Sequence, residues 1–500
     1  MTRTAKLLLP WVALFLGAAF LTISQFRLID GDEGFYLLAA KLVFQGKRLY
    51  SDFFFTQMPL VPFVYGSWMK LTGNTWTSTR LLSGAFAAAL GCLLYWHVAR
   101  ITKSWLAGCL AALLFAFSAP AVVWFTVVKT YSISTLLLFG AYLAVWEGSG
   151  KWTLTVSGLL FALTVDSRLY LAGIAPVLLL GIYARRAELA NLSAAYARFF
   201  AGLALGLVPN LYWLVRDPGN YYFNNLGFHA IRSGEGLIGD YGEKLATLLQ
   251  VIGLGGLNES GDWSGLPFGL LVLANGISFA VHRRLPGPRV WPAMYIGAAV
   301  ILVSALPTPS YQQYFCVAVP FLIVGAVTFA LDASRYRAGL LALVAVAIAG
   351  FSFLAFDLRR YLATGVGVAG VDVRESAINW RVPSVREISR ELDRQVVPGE
   401  PVMSFWPGYL VESQATSFPG METHVGLFIA DDLTPAQLAQ YRILSEAGID
   451  ANLKRHNPRV VVLGNQESMG VDGAPFARML QLHGYRITYR LGHTAIYTCK

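Results

Sequence analysis

Apolar runs of roughly 15 to 24 residues recur along this chain from Leu7 to Phe356, long enough to cross the hydrocarbon of a bilayer as helices. In hydrocarbon every backbone amide needs an internal partner, so such runs commit most of the chain to helix bundles. Composition agrees: 55% of residues are hydrophobic and only 14% charged, against roughly a quarter charged in soluble domains. The spans read from the sequence are 7–26, 79–99, 104–127, 130–148, 152–165, 169–184, 197–215, 264–281, 290–306, 314–331 and 338–356. Leu7–Phe26 follows Arg3 and Lys6 but lacks a small-residue cleavage site before Asp30, so it is expected to be a retained helix and not a signal peptide. Pro59–Leu71 is apolar but short, with Pro59, Pro62 and Gly66. It is expected to be a juxtamembrane or re-entrant helix on the outer face that does not cross.

Charge orients this arrangement. With the N-terminus inside, the cytoplasmic segments carry thirteen Lys or Arg against Glu147, Glu188 and Asp332, which accounts for the chain's whole formal charge of +10. The outer segments then sum to zero, the asymmetry expected of an inner-membrane, multi-pass protein. These bases are scattered over loops between spans, so the basic balance does not imply a nucleic-acid partner. The four cysteines, Cys92, Cys109, Cys316 and Cys499, form neither a disulfide framework nor a metal-ligand spacing.

An odd number of spans places residues 357–500 on the same side as the first outer loop, 27–78. This tail holds fifteen Lys or Arg and fifteen Asp or Glu, a balance unlike that of the membrane part. Ser384–Val396 has helical apolar spacing through Val385, Ile388 and Leu392; Pro401–Phe405, Arg459–Leu463, Tyr485–Tyr489 and Thr494–Thr498 read as strands, the last two as a hairpin. Thr434-Pro435 opens a further helix. The tail is expected to be a soluble extracytoplasmic α/β domain following a membrane domain of residues 1–356, with Thr364–Gly370 as a joint.

Acids crowd the exit of the first span as Asp30-Gly-Asp32-Glu33-Gly34, followed by Tyr50-Ser51-Asp52-Phe53-Phe54 and Gln57-Met58-Pro59-Leu60. Charges at a membrane exit are costly and point to function, although solvation of an interfacial loop is the plainer reading. In this order the segments resemble the first outer loop of GT-C glycosyltransferases, most closely the protein-mannosyltransferase branch that includes the bacterial aminoarabinose transferases. The resemblance implies a polytopic membrane glycosyltransferase of about eleven helices that uses a polyprenyl-phosphate sugar donor at the outer face of the membrane. It implies Asp32 as catalytic base, Glu33 beside it orienting the acceptor or raising the base's pKa, and an inverting single displacement. Asp30 completes an Asp-x-Asp spelling that accompanies divalent metals in nucleotide-sugar enzymes. The acidic pair of this branch is not tied to an obligatory ion, so no cofactor is assigned and a divalent metal is the alternative.

Displacement at an anomeric carbon needs a carboxylate for the acceptor's proton and positive charge for the leaving phosphate. Where family members carry Lys beside the Pro-Leu element, this chain has Gln57, which can donate a hydrogen bond but not neutralise a phosphate. The charge is therefore sought at Arg168, in Asp166-Ser167-Arg168 between apolar segments, then at Lys129 and Arg232, and after them at Arg27 and Lys244. For Arg168 an ion pair with Asp166 is the competing reading. Tyr311 and Gln312 are candidate sugar contacts, against an ordinary interfacial aromatic belt. The loop 216–263, rich in Tyr, Asn and Gly, reads as a lid, with His229 as an interfacial polar residue. Acceptor lipid, polysaccharide and protein all remain open. A transporter or flippase for lipid-linked glycans, or a binding protein for them, is the alternative, but inverted repeats and matched broken helices are not found in the sequence.

Overall fold

The computed structural model describes residues 1–233, 241–255, 265–281, 290–332, 358, 362, 377–465 and 472–499. Helix α1, Arg3–Phe26, begins where the Thr2 hydroxyl accepts the Ala5 N–H at 3.2 Å, satisfying one of the amide groups a helix start leaves without a partner. Of its side chains only Ala5, Leu16, Phe20 and Ser24 are buried, while Leu7 and Trp11 are 65% and 69% exposed. A helix apolar all round yet packed on one stripe is suited to lipid on the other. The packed stripe meets α4, Trp76–Thr102, at two glycines: a Cβ on Gly84 would stand 2.9 Å from the Phe20 carbonyl oxygen, and one on Gly91 2.8 Å from Leu16. Small residues that let backbones approach are how membrane helices associate.

Among the described residues three helical stretches are long and apolar enough to cross a membrane: α1, α4 and Gln312–Leu331. A bent pair makes four if counted as one span, and shorter apolar helices occupy six of the other expected spans. Two expected continuous spans are interrupted. The run 104–127 divides into α5, Trp105–Ala116, and α6, Ala119–Trp124, with Pro120 at the new start. The run 197–215 bends by 51° between Leu192–Gly206 and Val208–Arg216, where Pro209 cannot donate the continuing hydrogen bond. The run 169–184 opens as a 3₁₀ turn, Leu169–Ile174. The span 338–356, the joint at 364–370 and the middle of the loop 216–263 lie outside the described residues.

Between α1 and α4 stand α2, Gly31–Phe44, and α3, Leu60–Thr72, the latter where a surface helix was expected. Ten of the fourteen α2 residues are buried, Glu33 and Lys41 included, because α2 is covered on both sides. α3 packs one face, closely enough that a Cβ on Gly66 would overlap the Phe44 ring. The C-terminal part covers the other.

That part contains a five-stranded sheet of order β2-β1-β3-β5-β4, built from β1 Pro401–Ser404, β2 Thr416–Ser417, β3 Val460–Leu463, β4 Arg486–Leu491 and β5 Thr494–Thr498. β1 runs parallel to β2 and β3, and β5 runs antiparallel to β3 and β4. The strands and the amphipathic helix Val382–Gln395 fall where sequence periodicity placed them; the two-residue β2 is too short to leave a pattern. One face of the sheet keeps a core of the tail's own, with Met403, Phe405, Val461 and Phe476; the other face does not. Phe35, Leu38 and Val61 of the first loop share one apolar cluster with Val385, Val402, Trp406 and Ile496. Polar ties reinforce it: Lys41 Nζ donates to the carbonyls of Leu410 and Ser413, each at 2.6 Å, and the Trp406 indole donates to the Gly31 carbonyl at 2.8 Å. The Gly34 and Gly408 backbones touch, so that a Cβ on Gly34 would lie 2.6 Å from Gly408.

Candidate active site

The acidic cluster is the N-terminus of α2. Asp30 caps it, accepting the Asp32 N–H at 3.1 Å, and the Glu33 carboxylate reaches back to the Asp30 N–H at 2.8 Å. This reciprocal capping box fixes the first turn, and the acids part company there: Asp30 and Asp32 meet one lysine, while Glu33 turns away from it. Glu33 points inward and is fully buried. It accepts from Arg80 Nη2 at 2.5 Å and Nε at 2.9 Å, and from the Val128 N–H at 3.0 Å. Burial alone would raise its pKa, but the guanidinium outweighs it and holds Glu33 below its ordinary value. Arg80 spends its other donors on the carbonyls of Ser24, Arg27 and Leu28, stitching the end of α1 to the start of α2. Glu33 therefore reaches no open space: it positions the helix and does not face an acceptor.

Asp32 faces outward, its side chain 38% exposed, into a cavity of about 1070 Å³. Lys129, just ahead of α7, Thr130–Trp146, sets its ammonium 2.7 Å from Asp30 Oδ1 and 3.0 Å from Asp32 Oδ2. Burial works against ionisation of Asp32, but Lys129, with smaller help from His424 and Arg168, brings its pKa below normal. The same two carboxylates hold Lys129 charged despite its burial.

Arg168 enters the cavity from the break after α8, Thr153–Ser167. It donates to the Thr130 hydroxyl at 3.2 Å, and its guanidinium lies over the rings of Tyr131, Tyr170 and Tyr314 at 4.9, 5.3 and 4.7 Å. Among the described residues it makes no ion pair; Asp166, the expected partner, instead accepts from Asn210 at 2.5 Å. Arg232 lines the same cavity, over Tyr311 at 5.8 Å. Gln57 and Tyr311 also line it. Gln312 does not: it bonds Gln250, and its neighbour Gln313 faces the cavity in its place. Lys244 is tied to the Leu306 carbonyl at 2.9 Å, and His229 to the Thr56 carbonyl at 3.1 Å.

The cavity wall includes groups the sequence did not point to. His424 comes from the C-terminal part, at the start of the 3₁₀ turn His424–Phe428, with Trp380 also from that part. The His424 ring is buried, and neither nitrogen has a hydrogen-bond partner among the described residues. Burial lowers its pKa to about 4, against the pull of Asp32, so the imidazole is neutral near pH 7. No spacing relative to the acidic motif marks it. Arg80 did leave a sign, as a base at the start of an apolar run. No three His, Cys, Asp or Glu converge on a metal-sized site among the described residues; the space between Asp30 and Asp32 is filled by the Lys129 ammonium.

Fold and site together define a class: a helical membrane protein with the GT-C fold, whose first-loop acid opens on a cationic, aromatic-walled cavity. Solved structures carry the fold assignment. The chain is similar to ArnT from Cupriavidus metallidurans bound to undecaprenyl phosphate, at TM-score 0.65 and 13% identity over 99% of this chain and 98% of that one. It is similar to an oligosaccharyltransferase from Archaeoglobus fulgidus, at TM-score 0.50 and 16% identity, over 97% of this chain and 73% of that one. A third similar structure is the arabinofuranosyltransferase AftD from mycobacteria, at TM-score 0.52 and 14% identity, where all of this chain covers 40% of the longer one. No protein-family profile matches the sequence, and neither does any curated protein.

Proposed function

We propose that this chain is an integral-membrane glycosyltransferase that moves a sugar from a polyprenyl-phosphate donor to a hydroxyl acceptor. The reading carries the expected placement with it: about eleven spans in the inner membrane, N-terminus cytoplasmic, residues 357–500 outside. The observation that carries it is the pairing, in one cavity, of an accessible carboxylate with cations that exceed the acids. Arg27, Lys129, Arg168 and Arg232 line the cavity against Asp30 and Asp32, an excess of two positive charges among the described residues. A sugar phosphodiester donor brings one negative charge, and breaking its anomeric C–O bond leaves a phosphate monoester with a second. The excess is thus better matched to the departing phosphate than to the donor, the differential stabilisation that lowers a barrier.

In this scheme the acceptor oxygen attacks the anomeric carbon from the face opposite the phosphate. Its proton passes to Asp32, and the electrons of the broken bond go to the phosphate oxygen. Inversion follows from a single displacement. Arg168, which has no carboxylate to satisfy it among the described residues, is the principal phosphate ligand, with Lys129 holding Asp32 ionised and in place. The test is mass analysis of envelope glycans from a strain lacking the gene. Loss of one sugar mass, restored by the wild-type gene and not by Asp32→Asn, supports the proposal; an unchanged glycan set rejects it.

A further inference from the structure

We infer that the transferred sugar is uncharged, and that His424 reads its hydroxyls; this rests on the donor reading above. An amino sugar would bring an ammonium group into the cavity, where it would need a carboxylate not already committed. Among the described lining residues there is none. Asp30 and Asp32 share Lys129, and Arg27 lies 4.0 Å from Asp30. Glu33 is buried on Arg80, and Glu422, two residues before His424, is buried and paired with Lys47 at 3.4 Å. Of the two excess positive charges among the described lining residues, a donor phosphodiester neutralises one, so the sugar meets net positive charge from those residues. Such a field repels an ammonium sugar and is indifferent to a hydroxylated one.

His424 supplies the complementary half. A buried nitrogen without a partner loses its hydration for nothing, a cost normally avoided unless a ligand or water completes the bond. Here both nitrogens of one ring are in that state, at the wall of the cavity. A neutral imidazole presents one donor and one acceptor, the pair of capacities that a sugar hydroxyl, or two neighbouring ones, can match. An ammonium group offers only donors and can satisfy only the acceptor nitrogen.

The experiment measures binding of undecaprenyl-phosphate sugars to the detergent-purified full chain. A panel of neutral hexoses and pentoses is compared with the same sugars carrying an amine in place of one hydroxyl, and with bare undecaprenyl phosphate. At neutral pH each amine-bearing donor should bind weaker than its hydroxyl counterpart, on the order of tenfold or more, and the gap should close above the pKa of the sugar amine. His424→Gln and His424→Ala should each weaken the best neutral donor several-fold while leaving bare undecaprenyl phosphate unchanged. His424→Asp should narrow the gap by admitting the amine. Equal or tighter binding of amine-bearing donors by the wild-type protein overturns the charge argument, as does a gap that persists once the amine is neutral. Unchanged sugar affinity in both His424→Gln and His424→Ala overturns the role of His424. Binding of bare undecaprenyl phosphate without any gain from a sugar overturns the sugar subsite alone, whereas failure of all these lipids to bind overturns the donor reading itself.

Discussion

At the scale of single residues the site depends on how Lys129 divides its charge. By contacting both Asp30 and Asp32 it keeps Asp32, the proposed base, ionised, and this predicts the acid side of the pH profile. Because the pKa of Asp32 is lowered, transfer should hold steady as pH falls from neutral and decline only below the ordinary carboxylate range. Lys129→Met removes the stabilising charge, so the decline should begin at higher pH; an unmoved acid limb would detach Lys129 from the base. Arg168→Gln should cut transfer by roughly 100-fold or more in single-turnover assays, the scale of losing one group that stabilises developing charge, with partial recovery in Arg168→Lys. Glu33 is buried on Arg80 and does not line the cavity. Glu33→Gln leaves Arg80 buried without its counter-charge, at a cost of about 3–5 kcal/mol, visible as a lower thermal midpoint. Since pairing lowers the pKa of Glu33, that stabilisation is present above its unfolded pKa and is lost as pH falls through the lowered value. Asp32, Lys129 and Arg168 were legible in the sequence because charge beside apolar runs is expensive, and Arg232 only as a base in an outer loop. Glu33 was legible as part of the cluster, but only the direction of its side chain separates it from Asp32, and periodicity does not reveal the partner across 47 residues that sets it. His424 was invisible, since only tertiary docking brings it to the cavity.

Among the elements, α2 is the hinge of the architecture: its first turn builds the site and its far end anchors the C-terminal part. Lys41→Met would leave the Leu410 and Ser413 carbonyls without their donor, costing about 1–3 kcal/mol. The expected sign is faster proteolysis within residues 377–465, with undecaprenyl phosphate binding retained if α2 itself stays folded. Gly34→Val should be worse, since the branched side chain meets the Gly408 backbone. Helix and strand positions were legible where one face alternates with another, as in Val382–Gln395. The breaks at Phe117 and Leu207 were not, although Pro120 and Pro209 stood in the sequence, because hydropathy averages across a proline that interrupts hydrogen bonding. The shared core was hidden too: the balanced charge of the tail describes its surface, not the apolar face it presents to α2.

For the whole molecule, orientation and chemistry have separate tests. In a background without the four native cysteines, Gln45→Cys and His493→Cys should react with an impermeant reagent in intact spheroplasts, while Arg186→Cys should react only after the membrane is opened. Labelling of Arg186→Cys from outside would reverse the topology. The central claim is that Asp32 takes the acceptor's proton during sugar transfer. It is tested most directly by single-turnover transfer from a lipid-phosphate sugar by purified Asp32→Asn, alongside its donor affinity. Asparagine keeps the size and much of the hydrogen bonding but cannot take the proton. The account predicts donor binding near that of the wild type with transfer slowed roughly 100- to 10,000-fold; transfer at the wild-type rate would contradict it.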